Sequence, residues 1–225
     1  MERMARKPER YDLNTRYAFN VKVVRLVMKT GRIHNHCHGL DNLPQEDGYL
    51  LVANHQGKFD ALAVFDTMPT PVSFVMDKAK SGVVFTNQFL RIVDGVGLKK
   101  GDLRQSLLAL REVGRRLANG RNYLIFPEGG YTDNHNRLGN FLPGAFKAAY
   151  YAKAPVVPVA LVDTYKPFAV NTLGRVDTQI HYLEPIPYEE YASLSTPELA
   201  ALCHSRIQDA VSRCTGQEDR EPMAV

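Results

Sequence analysis

The sequence predicts a single α/β domain: a central mixed, mostly parallel sheet flanked by helices, with an amphipathic helix at the N-terminal end. Three observations carry this expectation. Short apolar runs bounded by turn residues alternate with segments of helical period along most of the chain. The 225 residues suffice for one sizeable core and are few for two. No repeat, low-complexity tract or linker divides them.

Taken in order, residues 1–10 are polar and expected to fray. Residues 11–30 read as a helix, with Phe19, Val23, Leu26 and Val27 at helical spacing and Arg16, Lys22, Arg25 and Lys29 as cations. Two readings fit it: an interfacial helix with its apolar face in lipid, or a helix packed on the domain's own core. The run IHNHCHG (33–39) reads as an edge strand, with His34, His36 and His38 on one face. A buried strand is expected over 48–54, a helix over 58–68, a strand over 71–77, a helix over 80–93 and an extended stretch over 95–100. Residues 102–118 form the clearest helix: Asp102 caps it, Leu103, Leu107, Leu110, Val113 and Leu117 line one face, and Gly120 ends it. There follow a strand (122–126), a helix (144–153) and a strand (156–162). Pro158 cannot donate to a ladder, so an edge position or a break is expected there. A strand over 176–186 and a helix over 196–214 close the domain. The expected divisions are 1–30, a membrane-associating segment; 31–215, the domain; and 216–225, a polar tail.

Composition narrows the function classes. Hydrophobic residues make up 44% and charged residues 23%, the balance of a globule. The net charge of +4 suits an anionic membrane, a phosphorylated ligand or nucleic acid without choosing between them. Cys37, Cys203 and Cys214 fit no disulfide scaffold, which points to a reducing compartment. No signal-peptide core is visible, and charges interrupt every apolar run short of the roughly 20 residues that span a bilayer. The expectation is a cytoplasmic protein resting on the inner face of the cell membrane. The sequence has no Walker motif, dinucleotide fingerprint, nucleophile elbow or nucleic-acid module. His34, Cys37, His36 and His38 could ligate a metal, but an exposed edge strand explains them as well, and no metal is expected.

Three constellations carry chemistry. In Asn54-His55-Gln56-Gly57-Lys58-Phe59-Asp60, His55 falls at a strand-to-helix turn facing a cleft. Asp60 lies close enough to hold one imidazole nitrogen, which fixes the tautomer and frees the other nitrogen to accept a proton. In Phe126-Pro127-Glu128-Gly129-Gly130, a carboxylate follows a strand end, with glycines that let backbone approach a ligand. Phe141-Leu142-Pro143-Gly144 and Pro155-Val156-Val157-Pro158-Val159 follow, and alone these read as structural.

The order and spacing of these blocks resemble the lysophosphatidate (glycerolipid) acyltransferase family from about residue 15 to 190. The matching stretches are GLDNLP (39–44), NHQGKFD (54–60), DGVGLKK (94–100), FPEGG (126–130) and VVPVAL (156–161). The resemblance implies an O-acyltransferase with an H-x4-D motif, with His55 as general base and Asp60 as its orienting partner. It implies that Asn54, Lys58, Lys100, Phe126, Pro127, Glu128, Gly129 and Gly130 shape or hold the substrate site. No resident cofactor is expected; acyl-CoA or acyl-carrier protein is the co-substrate. The expected partners are that donor, a lysophospholipid acceptor such as 1-acylglycerol-3-phosphate, and an anionic membrane surface, not nucleic acid. Three positions depart from the family pattern: Gly57 where Ser is common, Lys100 where Arg is typical, and Gly130-Tyr131 where Thr-Arg is frequent. Lysine meets a phosphate as a point charge rather than a bidentate fork. Backbone amides at the His55 turn are the expected donors to a tetrahedral oxyanion. The alternative reading is a non-catalytic membrane-peripheral lipid-binding protein on the same fold.

Overall fold

Strands that are apolar at every position need cover on both faces, and the computed structural model provides it. It describes residues 2–77, 88–89, 91–99, 101–170 and 172–216. The strands are β1 (Ile33–His38), β2 (Leu50–Ala53), β3 (Val72–Asp77), β4 (Val96–Leu98), β5 (Asn122–Ile125), β6 (Val156–Val162) and β7 (Val176–Tyr182). They form one sheet in the order β1-β7-β6-β2-β5-β3-β4. Every neighbouring pair is parallel except β6 and β7. The helices are α1 (Glu2–Arg6), α2 (Leu13–Thr30), α3 (Asp60–Thr67), α4 (Leu103–Leu117), α5 (Lys147–Ala152), α6 (Lys166–Ala169), α7 (Tyr188–Tyr191) and α8 (Thr196–Thr215).

The two-residue period of the strands divides the core. Leu50, Val52, Tyr123, Ile125, Ala160 and Val162 meet α4, α5 and α8 on one face. Leu51, Ala53, Leu124, Val159 and Leu161 meet α2 and α3 on the other. Gly114 of α4 lets α5 approach closely, because a Cβ there would lie 2.7 Å from the Tyr151 Cβ. Gly114→Ala should therefore lower stability by about 1–2 kcal/mol, overpacking exceeding the gain in helix propensity. A urea midpoint at or above the wild-type value would contradict this.

The N-terminal helix resolves the open choice in part. Tyr17, Val24 and Met28 of α2 are buried in the core with Phe65 and Ile33, so α2 is an integral layer of the domain. Phe19, Val23 and Val27 are half-buried and Leu26 is exposed, so the apolar stripe read from the sequence is the helix's outer flank. Arg16, expected as a surface cation, is buried instead. Its guanidinium donates to both carboxylate oxygens of Asp94 at 2.8 and 2.9 Å and to the Ile92 carbonyl. Burial works to raise the Asp94 pKa, but hydrogen bonds and charge from Arg16 and Arg121 outweigh it and hold it lowered.

Other expectations shift slightly. Residues 2–10, expected to fray, form α1 and a 3-10 turn over Pro8–Arg10. The strand expected over 176–186 ends at Tyr182. Pro158 is not at an edge, since β6 lies between β7 and β2. It falls in a break in the antiparallel ladder. Val156 bridges Ile186, whereas Val159 pairs with Tyr182, so three steps on one strand face four on the other. The helix expected over 80–93 and the tail beyond residue 216 lie largely outside the described residues, as does Lys100. β1 is an edge strand, and His34, His36 and His38 lie on its exposed face. His36 pairs with Asp177 at 2.7 Å and His38 stacks on His181.

Candidate active site

Parallel strands send their following loops out at one edge of a sheet, and there the chemistry collects. β2 and β5 are parallel neighbours, with Val52 opposite Ile125. The turn that follows β2 carries His55, and the turn that follows β5 carries Glu128, so two segments far apart in sequence meet at one crevice.

His55 is anchored at three points. Its Nδ1 lies 2.7 Å from Asp60 Oδ2. A carboxylate only accepts hydrogen bonds, so Nδ1 carries the proton and Nε2 is left with its lone pair. The ring stacks on Phe126 at 4.1 Å between centroids and meets the edge of Tyr131 at 4.7 Å. Its backbone N–H donates to Glu128 Oε1 at 2.9 Å. The side chain remains 16% exposed, open to a reactant from the crevice side.

Asp60 is 0% exposed and opens α3. Its Oδ2 accepts from the His55 ring, from the Gln56 amide at 2.6 Å and from the Gly57 amide at 2.9 Å. The helix N-terminus also favours a negative charge there. The backbone therefore folds around Oδ2, and the imidazole direction follows from the turn.

Glu128 is a brace between two loops. Oε1 accepts from the His55 amide and Oε2 from the Gly139 amide at 3.2 Å. Burial pushes its pKa up to about 7, against the lowering effect of these two amides. A Cβ at Gly139 would lie 2.8 Å from Oε2, so the carboxylate would have to move aside and give up its present hydrogen bonds. Gly139→Ala should displace Glu128, lower stability by about 1–3 kcal/mol and reduce turnover of the reaction proposed below. Wild-type stability and activity in that variant would contradict the brace.

The other expected residues take varied positions. Asn54 does not face the crevice: it is buried, donating to the Leu161 carbonyl at 2.9 Å and accepting from its amide at 2.8 Å, which ties β2 to β6. Lys58 is exposed at the turn. Phe126 supports the ring, and the Pro127 carbonyl accepts from the Leu142 amide at 2.9 Å, which links the loop to the F-L-P-G segment. Gly129 adopts φ +69°, a left-handed turn that a side chain would strain, with Gly130 next in the turn. The amides of His55, Gln56 and Gly57, expected to face an oxyanion, are instead engaged by Glu128 and Asp60. Tyr165 packs over the turn at Gly57, where a Cβ would make only ordinary contact with it, 3.4 Å from the Tyr165 Cα.

Sequence reasoning missed a polar network beneath the turn. Gln56 donates to the Leu161 carbonyl and to Asn136 Oδ1, and accepts from the Thr164 hydroxyl. Asn136 in turn donates to Asp163. These residues are scattered from 56 to 164 in the sequence, and no motif joins them. Among the described residues no group of three or more potential ligands is arranged to hold a metal ion.

The acyltransferase family model matches residues 34–162, more than half of the 225-residue chain, and the chain belongs to that family. The 1-acyl-sn-glycerol-3-phosphate acyltransferase of Escherichia coli is 25% identical over 164 residues, covering 72% of this chain. A probable 1-acyl-sn-glycerol-3-phosphate acyltransferase of Mycoplasma genitalium is 30% identical over 185 residues, which is 76% of this chain and 68% of that one. The chain spans 66% of the length of the Escherichia coli relative. In fold, it superposes on the crystal structure of the 1-acyl-sn-glycerophosphate acyltransferase from Thermotoga maritima with a TM-score of 0.70. That likeness covers 88% of this chain and 82% of the other at 22% identity.

Proposed function

We propose that this chain moves a fatty acyl group from an acyl thioester, acyl-CoA or acyl-carrier protein, to the free hydroxyl of a lysophospholipid. The acceptor we favour is 1-acylglycerol-3-phosphate, in phospholipid synthesis. The observation that carries the reading is the His55 ring held on the buried carboxylate of Asp60 at 2.7 Å, with its second nitrogen free. The family match and the relatives' names support the acyl chemistry and the acceptor.

In the proposed step His55 Nε2 takes the acceptor's hydroxyl proton as the oxygen attacks the thioester carbonyl carbon. A tetrahedral oxyanion forms, the carbon–sulfur bond breaks, and the departing thiolate receives the proton from His55. Asp60 holds the tautomer and steadies the transient imidazolium. Glu128 acts in this reading by fixing the His55 backbone and the 139 loop, each held through one amide on one carboxylate oxygen. Gly129 and Gly130 give the acceptor a close backbone path, and Phe126 and Pro127 wall it. Lys58 and Lys100 are the cations proposed for the phosphate-bearing substrate. Tyr131, set against the His55 ring, takes the place of the arginine frequent in the family and narrows the site beside the base.

The acceptor is a lipid, so the crevice must reach a bilayer. No described helix is long and apolar enough to cross a membrane. We propose peripheral binding instead, with the outer stripe Phe19, Val23 and Leu26 of α2 at the interface, on the cytoplasmic leaflet. The functional test presents purified protein with palmitoyl-CoA or palmitoyl-carrier protein and a panel of lysophospholipids, with products read by mass spectrometry. A two-chain phospholipid from lysophosphatidate supports the proposal and names the donor. Thioester hydrolysis alone, or no reaction with any pair, contradicts it.

A further inference from the structure

A second basic feature lies outside the His55 crevice. Arg25 and Lys29 of α2, Arg32 and His34 line an open cavity of about 420 Å³, floored by Met28 and Ile33. One carboxylate, Asp66, faces it, and Arg25 Nε holds that group at 3.2 Å. Asn35 also donates to Asp66, so this carboxylate is shared while Lys29 and Arg32 add further positive charge. The cavity therefore carries three cationic side chains against one acid.

The topology brings this cavity to the catalytic edge of the sheet. β1 begins at Ile33, opposite Val176 at the start of β7. β7 runs antiparallel to β6, with Gln179 opposite Val162. The start of β1 and β7 thus lies where β6 ends, and β6 ends in the segment whose Asp163 and Thr164 bind the network under His55. Both sites therefore lie at the same edge of the sheet.

Exposed apolar side chains flank the cavity. Leu26, one helical turn before Lys29, is 62% exposed, and Leu173 is 92% exposed. The Arg32 guanidinium donates to the Leu173 carbonyl at 3.2 Å, which ties that loop tip to the cavity's rim. Cations beside protruding leucines match a bilayer interface, with charge at headgroup depth and leucine in the acyl layer.

We propose that the Arg25–Lys29–Arg32 cavity binds the phosphate of an anionic lipid headgroup in the membrane surface. Leu26 and Leu173 insert beside it, so the protein docks with its catalytic edge toward the bilayer. This rests on the acyltransferase reading only for its purpose, and its chemistry stands apart from His55. The ligand is a resident lipid, not the acyl acceptor.

The test is sedimentation with vesicles of pure phosphatidylcholine, and of phosphatidylcholine containing phosphatidylglycerol, with inorganic phosphate as competitor. The full chain should bind the anionic vesicles selectively and lose binding at high salt. Arg25→Ala/Lys29→Ala/Arg32→Ala should weaken anionic binding roughly a hundred-fold, and Leu26→Ser/Leu173→Ser should weaken it while keeping the salt dependence. Arg25→Ala/Lys29→Ala, which leaves the Arg32–Leu173 contact intact, should show an intermediate loss. Equal affinity for both vesicle types, or unchanged binding in the triple variant, overturns the proposal. So does full displacement by millimolar inorganic phosphate, which would mark a soluble-anion site. If the cations served only to face the C-terminal end of α2, the triple variant would lose stability and keep its binding. Transfer by the wild type to an acceptor dispersed in detergent tests the acyltransferase reading separately, so either can fail alone.

Discussion

His55→Ala lowers kcat for acyl transfer by about 10²–10⁴-fold, the range that general-base assistance supplies, and leaves KM for donor and acceptor near wild type. The reason is the geometry of one nitrogen. Nδ1 is engaged by Asp60, so the proton of the attacking hydroxyl has only Nε2 to go to. The substitution also removes the ring that stacks on Phe126 and the donor to the buried Asp60, so stability should fall by about 1–3 kcal/mol. Initial rates at saturating substrate, with circular dichroism as a folding control, check this. A folded variant with more than about a tenth of wild-type kcat would remove His55 from the role of base.

Glu128→Gln has the second-largest expected effect, and it acts at a distance from the reacting atoms. The carboxylate accepts one backbone N–H on each oxygen. A glutamine accepts only one and turns its own N–H₂ toward the other. One donor is left without a partner, at a cost of about 1–3 kcal/mol that is offset near neutral pH by removal of the buried charge. The turn carrying His55 should loosen, with kcat lowered about 10–100-fold and the acceptor KM little changed. An equal loss carried entirely in the acceptor KM would mean that Glu128 grips substrate directly.

The same residue sets a pH dependence. Its pKa is about 7 in the folded protein, against an ordinary value of 4.5. Between those values the folded chain keeps a proton that the unfolded chain has lost. Stability therefore falls as pH rises from about 4.5 to about 7, by about 3 kcal/mol in all, and this contribution is flat above. Activity moves the other way, because only the ionised carboxylate accepts both amides. Urea midpoints at pH 5 and pH 8 should differ in the wild type, with the Glu128 part of that difference missing from Glu128→Gln. An identical slope in both proteins would contradict the assignment.

Much of the site was legible because its parts are local. The five-residue spacing of His55 and Asp60 across a strand-to-helix turn leaves little freedom, and the pair meets as expected. Strand and helix order followed from periodicity, and the one antiparallel pair did not, because apolar runs carry no direction. Residues whose contacts lie far away in the chain could not be placed from the sequence. Asn54 looked like a substrate group from its neighbour His55, yet Leu161 claims it from across the sheet. Arg16 looked like a surface cation until Asp94 was placed beside it. Gly139 carried no signal, because its need for a missing side chain arises from Glu128, eleven positions earlier in the chain. Pro158 was half legible: the lost donor forced a break, and the sequence could not say that the break would fall in the middle of the sheet.

Direct, base-assisted transfer between two bound substrates is distinguished from acyl-enzyme chemistry by one rapid-quench experiment. Wild-type protein is mixed with labelled acyl thioester, with and without lysophosphatidate, and both the lipid products and the intact protein mass are read. Base-assisted transfer yields a two-chain phospholipid only when both substrates are present, and leaves the protein mass unchanged with thioester alone. A protein heavier by one acyl chain, or free fatty acid in place of acylated lipid, would contradict it.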